Sequence, residues 1–153
     1  MNVNRSRMFI VAAALLVLVA VNVSILGKER IKSGGERIYL ELAPVDPRSL
    51  MQGDYMALRF AIANLVDTSK SGSAPLVVDE RGVATIAASG VNTPLRIRYK
   101  MRHGQVWLGT NAWFFEEGSA ERFAEARYGE FRLDRDTGEA VLVGMRDKDF
   151  RAL

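Results

Sequence analysis

Residues 95–108 read LRIRYKMRHGQVWL, a pattern that favours a β-hairpin. Apolar residues alternate with cationic or polar ones over residues 95–101 and again over residues 105–108, which is the period of a strand with one buried face. The turn between the two runs ends in Gly104, which can adopt the left-handed conformation that a short hairpin loop requires. This stretch therefore predicts two antiparallel strands joined by a tight turn.

The same alternation recurs on both sides of this hairpin and predicts further strands. Turn residues that end in Gly82 and Gly138 separate two of the strand pairs, as expected for hairpins. Many short strands joined by tight turns are typical of a small barrel or sandwich, and 153 residues suit one such domain. We therefore expect an all-β or mainly β fold. In chain order, the other predicted strands cover residues 37–42, 55–62, 76–79, 82–87, 130–133 and 139–143.

Two stretches between the predicted strands lack the alternation. Ser119 can serve as the N-cap of a short helix that ends at Gly129, with Phe123 packing against an open end or face of the sheet. Residues 70–74 are small and polar, which is typical of an exposed loop. The predicted architecture is thus a β-barrel or sandwich with one short helix.

The N-terminal part of the chain is far more apolar than the rest. Residues 8–26 read MFIVAAALLVLVAVNVSIL, a run of 19 residues without a charge. Such a run nearly matches the roughly 20 helical residues that cross a hydrocarbon core of about 30 Å. A cleaved signal peptide is the alternative, because Arg5 and Arg7 form a basic flank. The run is longer than an ordinary signal-peptide core and no Ala-x-Ala pair follows it, so we expect an uncleaved signal anchor.

This anchor divides the chain into four segments. We expect a cytoplasmic tail over residues 1–7, a transmembrane helix over 8–27, a linker over 28–36 and an extracytoplasmic β-rich domain over 37–153. The linker contains Ser33-Gly34-Gly35, which predicts a flexible joint. A short basic tail resists export, whereas a long folded domain can cross largely regardless of its charge. We therefore predict a single-pass protein of the cytoplasmic (inner) membrane whose C-terminal domain is periplasmic.

The composition makes several functional classes poor candidates. The chain has 21 Lys and Arg against 18 Asp and Glu, and Arg5 and Arg7 account for most of the net charge of +3, so the remainder carries no domain-wide basic field for nucleic acid. Cys is absent and His103 is the only His, which argues against thiolate or imidazole metal sites and against Cys or His catalytic centres. We expect no cofactor, no metal ion and no nucleic-acid partner.

Residues 43–55, APVDPRSLMQGDY, form the most unusual stretch of the chain. Two prolines remove backbone donors there, so a paired strand must pause. Asp46 and Asp54 can each accept backbone N–H groups and hold a tight loop. Alternatively, the two carboxylates form an acid–base pair or a calcium site. We expect the structural role, with the following Tyr55 on the inward face of a strand.

The strand that follows carries a family signature. Residues 53–60, GDYMALRF, resemble the motif of the GDYXXLXY proteins, and the preceding Pro-Val-Asp-Pro-Arg run is typical of them too. Phe60 replaces the final Tyr of the motif and lacks its hydroxyl. The resemblance implies a bacterial, membrane-associated protein without an established activity or catalytic residues, often encoded with or fused to multi-spanning membrane proteins. The motif residues, structural or partner-binding, are Asp46, Pro47, Arg48, Gly53, Asp54, Tyr55, Leu58 and Phe60.

Two other sets of side chains have both a structural and a functional interpretation. Arg96, Arg98 and Lys100 share one face of a predicted strand, as a solvated face or as a basic stripe near lipid headgroups. The aromatic residues near the predicted helix form part of the core or an exposed rim for a partner. These aromatic residues are Trp107, Trp113, Phe114 and Phe115.

These patterns favour a non-enzymatic accessory domain, anchored in the lipid bilayer, that works with another membrane protein. One alternative is an anchored hydrolase or peptidase that uses Asp46, Asp54 or Ser49. By analogy with signal peptidases, Ser49 would pair with Lys70 or Lys100, but Ser49 lies too close to Gly53 for that arrangement. Another alternative is a binding domain for an envelope polymer or small ligand.

Overall fold

The computed structural model describes residues 3–43, 51–52, 55–67, 69 and 71–153. A long helix, α1 (Val3–Gly34), comes first, and short strands follow it. Two 3-10 helices, Ala61–Leu65 and Ala120–Phe123, interrupt the strands. The strands are β1 (Glu36–Glu41), β2 (Met51–Gln52), β3 (Tyr55–Ala57), β4 (Gly72–Val78), β5 (Ala84–Ile86), β6 (Arg96–Arg102), β7 (Gln105–Trp107), β8 (Ala112–Phe114), β9 (Tyr128–Leu133) and β10 (Ala140–Arg146).

Helix α1 exposes its apolar side chains over most of its length. Every residue from 7 to 30 is exposed, including Phe9 at 74% and Leu16 at 70%. A soluble protein rarely exposes so large a continuous apolar surface to water. The segment Arg7–Gly34 is long and apolar enough to cross a membrane, in agreement with the predicted anchor.

The last turns of α1 dock on the β-domain, where the sequence predicts a linker. The helix continues through Gly34, and Ile31 in its last turns is only 6% exposed. The Gly35 N–H donates to the Ile31 carbonyl at 2.8 Å, and a Cβ at position 35 would lie 2.5 Å from that oxygen. The structure thus has a helix through Gly34, where the sequence predicts a linker with a flexible joint at Ser33-Gly34-Gly35. Burial of Ile31 and the close backbone approach at Gly35 hold the helix end in place.

Among the described residues, the strands form three antiparallel sheets, ordered β1-β9-β10, β2-β3-β8 and β5-β4-β6-β7. Backbone hydrogen bonds join them: the Tyr39 N–H donates to the Gly82 carbonyl at 2.9 Å, and the Ala43 N–H donates to the Arg59 carbonyl at 2.8 Å. Together the sheets curve into a half-barrel, which confirms the mainly β fold. One core receives side chains from all three sheets and from the residue that follows β3: Ile38, Leu40, Met56, Leu58, Leu76, Ile97, Phe131 and Leu133.

The three predicted hairpin turns are present. Gly82, Gly104 and Gly138 have φ values of 86°, 73° and 71°, a region that L side chains rarely adopt. They connect β4 to β5, β6 to β7 and β9 to β10. The hairpin pattern in the sequence is thus confirmed.

The predicted strand over residues 55–62 is shorter than expected. It ends at Ala57, and the 3-10 helix Ala61–Leu65 follows. The Leu58 N–H donates to the Asn111 carbonyl at 2.7 Å, and the Ala63 N–H donates to the Phe60 carbonyl at 3.0 Å. The pairing of β3 with β8 ends at Ala57 and Ala112. The chain can therefore leave the strand after Ala57, although the alternation of apolar residues continues in the sequence.

Three other expectations about local structure are wrong. Residues 72–74 belong to β4 and not to a loop, because their backbones pair with β6 from Tyr99 to Ile97. The expected helix is only the 3-10 turn Ala120–Phe123, and Gly129 lies in β9. The hydroxyl of Ser119 does not cap this turn, because it donates backwards to the Glu116 carbonyl at 2.5 Å.

Candidate functional site

The part of the family motif that the structure describes lies in and just after β3. This strand pairs with β8, so that Tyr55 lies opposite Phe114 and Met56 opposite Trp113. Alternation along the strand separates the motif side chains into an inner and an outer set. The two sets have different surroundings and therefore different possible roles.

The inner set belongs to the hydrophobic core. Met56, Leu58 and Phe60 are only 2%, 1% and 2% exposed. The ring of Phe60 packs edge-on against Phe131, with 5.2 Å between ring centroids. A Cβ on Gly129 would lie only 3.0 Å from the Phe60 ring, so a small residue is needed beside it. Leu58 and Phe60 therefore serve the fold, and the ring of Phe60 fills an apolar site.

On the outer face, the motif residue Tyr55 and Phe114 of β8 form an aromatic pair, which we call the aromatic edge. Their ring centroids are 5.7 Å apart, and Phe114 is 74% exposed. Tyr55 is half-buried. The expectation that Tyr55 points inward is wrong, because Met56 takes the inner face of β3 and the alternation then puts Tyr55 outside.

Five motif residues lie outside the described residues: Asp46, Pro47, Arg48, Gly53 and Asp54. The same holds for Ser49 and Lys70, which the peptidase alternative requires. The pairing of Asp46 with Asp54, whether structural or chemical, stays a prediction. Lys100, the other candidate base, is described and lies exposed on β6.

The remaining aromatic residues divide between core and surface. Trp113 and Phe115 pack on Phe123, with ring centroids 6.2 Å and 5.2 Å from it, and Phe123 is 6% exposed. This confirms the expected packing role of Phe123. Trp107 instead lies partly exposed beneath the guanidinium of Arg102, 5.1 Å from its ring centroid.

A buried ion pair that no pattern in the sequence predicts lies on β9 and β10. The carboxylate of Glu130 is on a residue only 4% exposed, and it accepts hydrogen bonds from Nε of Arg146 at 2.7 Å and from Nη2 of the same guanidinium. Nη2 of Arg132 lies 3.9 Å from the second carboxylate oxygen. In the sequence, alternation places Glu130 with Arg132 on a polar strand face, so no local signal marks its burial.

A basic groove lies between the end of α1 and the outer face of β6. We use this name for Lys28, Arg98, Lys100, Arg102, Trp107 and Glu139, which line a groove of ≈ 110 Å³. The predicted alternation of β6 is confirmed, since Arg96, Arg98 and Lys100 are exposed while Ile97 and Tyr99 are buried. The Arg98 N–H donates to the Gly138 carbonyl at 2.7 Å, which fixes β6 against the β9–β10 turn.

The carboxylates with a perturbed pKa have structural causes. The hydrogen bond from Lys28 to Glu139, at 2.7 Å, lowers the pKa of the Glu139 carboxyl, and the nearby charges of Lys28, Arg98 and Lys100 add to this. The backbone N–H of Val83 lowers the pKa of Asp79, and that of Thr137 lowers the pKa of Asp134. Asp79 and Asp134 therefore tie hairpin turns.

His103 lies exposed at the tip of the β6–β7 hairpin, with a φ of 49°. Its position next to Gly104 in a two-residue turn explains this conformation. Among residues 3–43, 51–52, 55–67, 69 and 71–153, no three His, Asp or Glu side chains lie close enough to share a metal ion.

Comparison with known proteins agrees with the motif and its surroundings. The family model described as GDYXXLXY protein matches residues 17–145, most of the 153-residue chain. The chain belongs to the GDYXXLXY protein family. The GDYXXLXY match begins inside α1 and ends in β10, so the shared unit includes the docked end of the helix as well as the sheets. The chain matches no curated protein and no solved structure at a significant level.

Proposed function

We propose that this GDYXXLXY protein is a membrane-anchored, non-enzymatic accessory domain that binds another membrane protein through the aromatic edge. The observation that carries this proposal is the 74% exposure of Phe114 beside the motif residue Tyr55. A large exposed aromatic ring in contact with a second aromatic ring is typical of a binding hot spot. Ordering the Phe114 ring on binding costs little conformational entropy, because the two rings already constrain one another.

The position of β8 supports the same surface. Within the described part of the chain, β8 is the last strand of the sheet β2-β3-β8, so its outer edge has no neighbouring strand there. An open strand edge offers backbone donors and acceptors to a partner strand. Phe114 lies at the end of that strand and would add a side-chain anchor to the backbone pairing.

Helix α1 supports the membrane setting of this interaction. Its charge-free run follows Arg5 and Arg7, which favours retention of the N-terminus in the cytoplasm. In this orientation the β-domain, with the aromatic edge, lies outside the inner membrane. The partner is then a membrane protein with a surface on the same side.

The test is co-purification of the full chain, expressed at native level and extracted in mild detergent. We expect a membrane-protein partner in stoichiometric amount, and we expect Phe114→Ala to lose at least nine-tenths of it. Leu65→Ala is the matched control, because Leu65 is also apolar and 64% exposed but lies in a 3-10 helix outside this sheet. Thermal melting of each variant in detergent checks that the fold is kept.

Two outcomes would reject the proposal. Equal retention of the partner by Phe114→Ala and the parent would remove the aromatic edge from the interaction. A monodisperse, partnerless protein that turns over a substrate would favour the hydrolase alternative, and full retention of that turnover in Ser49→Ala would exclude Ser49 as its nucleophile.

A further inference from the structure

We infer that the basic groove binds the phosphate of an anionic phospholipid headgroup. This inference rests on the membrane insertion of α1 that the proposed function also assumes. It concerns a different surface from the aromatic edge and a different ligand. The charge of the groove and its depth relative to the bilayer both support binding of a headgroup phosphate.

The groove brings several positive charges close together. Four cations line it, Lys28, Arg98, Lys100 and Arg102, against the single carboxylate of Glu139. Arg98 and Lys28 are each 51% exposed and both lie near Glu139, with Nη1 of Arg98 3.7 Å from it and Nζ of Lys28 2.7 Å from it. One carboxylate therefore orients two cations without neutralising the site.

The other two cations remain available to a ligand. Lys100 and Arg102 are exposed on the same face of β6 as Arg98. Within the described part of the chain, neither is in an ion pair; Arg102 lies over the ring of Trp107. Guanidinium and ammonium groups together are the usual protein donors to phosphate oxygens.

Helix α1 places this groove at the level of the headgroups. Residues 8–27 carry no charge, and 20 helical residues span about 30 Å, the thickness of a hydrocarbon core. Lys28 is the first charged residue after Arg7, so it lies at the membrane surface when α1 spans the bilayer. Because Lys28 itself lines the groove, Arg98 and Lys100 lie at that surface too.

Trp107 fits the same environment. Tryptophan is enriched at membrane interfaces, where its ring contacts the acyl boundary and its polar edge contacts water and headgroups. Trp107 is partly exposed and lines the groove beside Arg102. A lipid has an advantage over free phosphate here, because the bilayer holds its phosphates at high local concentration next to Lys28.

The test measures lipid retention by the full chain in mild detergent. The protein is incubated with phosphatidylglycerol or with phosphatidylcholine of the same acyl composition, and bound lipids are counted by native mass spectrometry. We expect selective retention of phosphatidylglycerol. We expect Arg98→Gln combined with Lys100→Gln to weaken it by roughly tenfold or more, since each basic residue near a membrane surface contributes about 1 kcal/mol.

The matched control removes two cations elsewhere. Lys148→Gln combined with Arg151→Gln changes the net charge equally, and both residues are exposed. They follow β10 at the end of the sheet opposite α1, about 20 Å away at 3.3 Å per residue. Lys100→Gln alone is a further variant, because Lys100 has no ion pair among the described residues and its loss leaves the Glu139 contacts in place.

Other results of these experiments would contradict the inference or the proposed function. Equal retention of the two lipids, or equal loss in the Lys148 and Arg151 control, would overturn the inference. Competition by millimolar inorganic phosphate to the same extent as by lipid would replace the lipid with a soluble phosphate ligand. Recovery of the full chain in buffer without detergent would instead reject membrane insertion and with it the proposed function, a result that lipid selectivity alone does not produce.

Discussion

At the residue scale, neighbouring positions of the motif have opposite surroundings. Leu58 is 1% exposed in the core, whereas Tyr55 lies on the outer face of β3 against Phe114. The motif thus combines buried packing residues with a residue on the outer face. This difference in surroundings can be measured, because truncation of a buried side chain lowers the free energy of unfolding more than truncation of a half-exposed one.

We predict that Leu58→Ala lowers the free energy of unfolding by about 2–5 kcal/mol, the usual cost of a large-to-small core substitution. Tyr55→Ala should cost about 1–2 kcal/mol, less than Leu58→Ala, because Tyr55 is only half-buried. The measurement is thermal or denaturant unfolding of the full chain in mild detergent, with the exposed Arg59→Ala as a control. A loss for Tyr55→Ala as large as that for Leu58→Ala would contradict the outer placement of Tyr55.

The buried pair of Glu130 and Arg146 gives a second prediction at this scale. Arg146→Met removes the guanidinium and leaves a carboxylate on a residue that is 4% exposed, so we expect a loss of about 3–5 kcal/mol. The double variant Glu130→Met with Arg146→Met should be more stable than the single one, because no buried charge remains. If the single and double variants have the same free energy of unfolding, the unpaired carboxylate of Glu130 is not destabilising, and the prediction is wrong.

At the scale of elements, the contact between α1 and the β9–β10 turn is the main feature. Lys28 on the helix donates to Glu139 on the turn, and Ile31 is buried one helical turn further on. The helix therefore ends as part of the domain and not as a free tether. Any soluble fragment that begins at Gly34 would lack both contacts.

This contact has a definite pH dependence. The Lys28 hydrogen bond holds the pKa of Glu139 below its ordinary value of about 4.5, so the folded chain holds the charged carboxylate more firmly than the unfolded chain does. The stabilisation is therefore fully present above that ordinary value and is lost as the pH falls through the lowered one. Since both partners are partly exposed, we expect about 0.5 kcal/mol.

The experiment compares Glu139→Gln with the parent at pH 7 and at about pH 3. The variant should melt lower at pH 7, and the difference should shrink as the pH falls through the lowered pKa of Glu139. Glu125→Gln is the control, because Glu125 is exposed and outside this contact. A difference between Glu139→Gln and the parent that persists at low pH would mean that the side chain acts by packing and not by charge.

At the scale of the whole molecule, the prediction concerns topology. A reporter enzyme that folds only after export, fused behind Leu153, should be active, because the basic N-terminal tail resists crossing the membrane. The same fusion without residues 8–26 should be inactive. Activity of a cytoplasmic reporter alone at this position would reverse the orientation.

The mass of the purified full chain tests whether the N-terminal helix is kept. Intact mass should correspond to a chain that still contains residues 8–26, because no Ala-x-Ala pair follows them. A mature chain that begins after Gly27 would show cleavage. It would also remove the helix on which the inferred membrane position of the basic groove depends.

Local patterns were enough to predict most of the strands, the hairpins and the apolar helix. Period-two alternation, glycine at the left-handed turn positions 82, 104 and 138, and an uncharged run of 19 residues each depend on neighbours in the chain. The family also followed from a short run, residues 53–60, which the match over residues 17–145 confirms. Two differences fall where the chain contacts distant parts of the domain: residues 28–34 continue α1, with Ile31 buried, and Gly129 is in a strand because β1 and β10 pair with it.

The candidate binding features depend instead on contacts between distant parts of the chain. Lys28 and Glu139 are 111 positions apart, and Tyr55 meets Phe114 only because β3 and β8 pair. Charge and apolarity are visible in the sequence, but burial is a property of the folded neighbourhood. Glu130 has the sequence pattern of a solvated strand residue but is buried, because neighbouring strands cover it. Phe114 is an aromatic residue of the kind found in cores but is 74% exposed, because no strand among the described residues covers it.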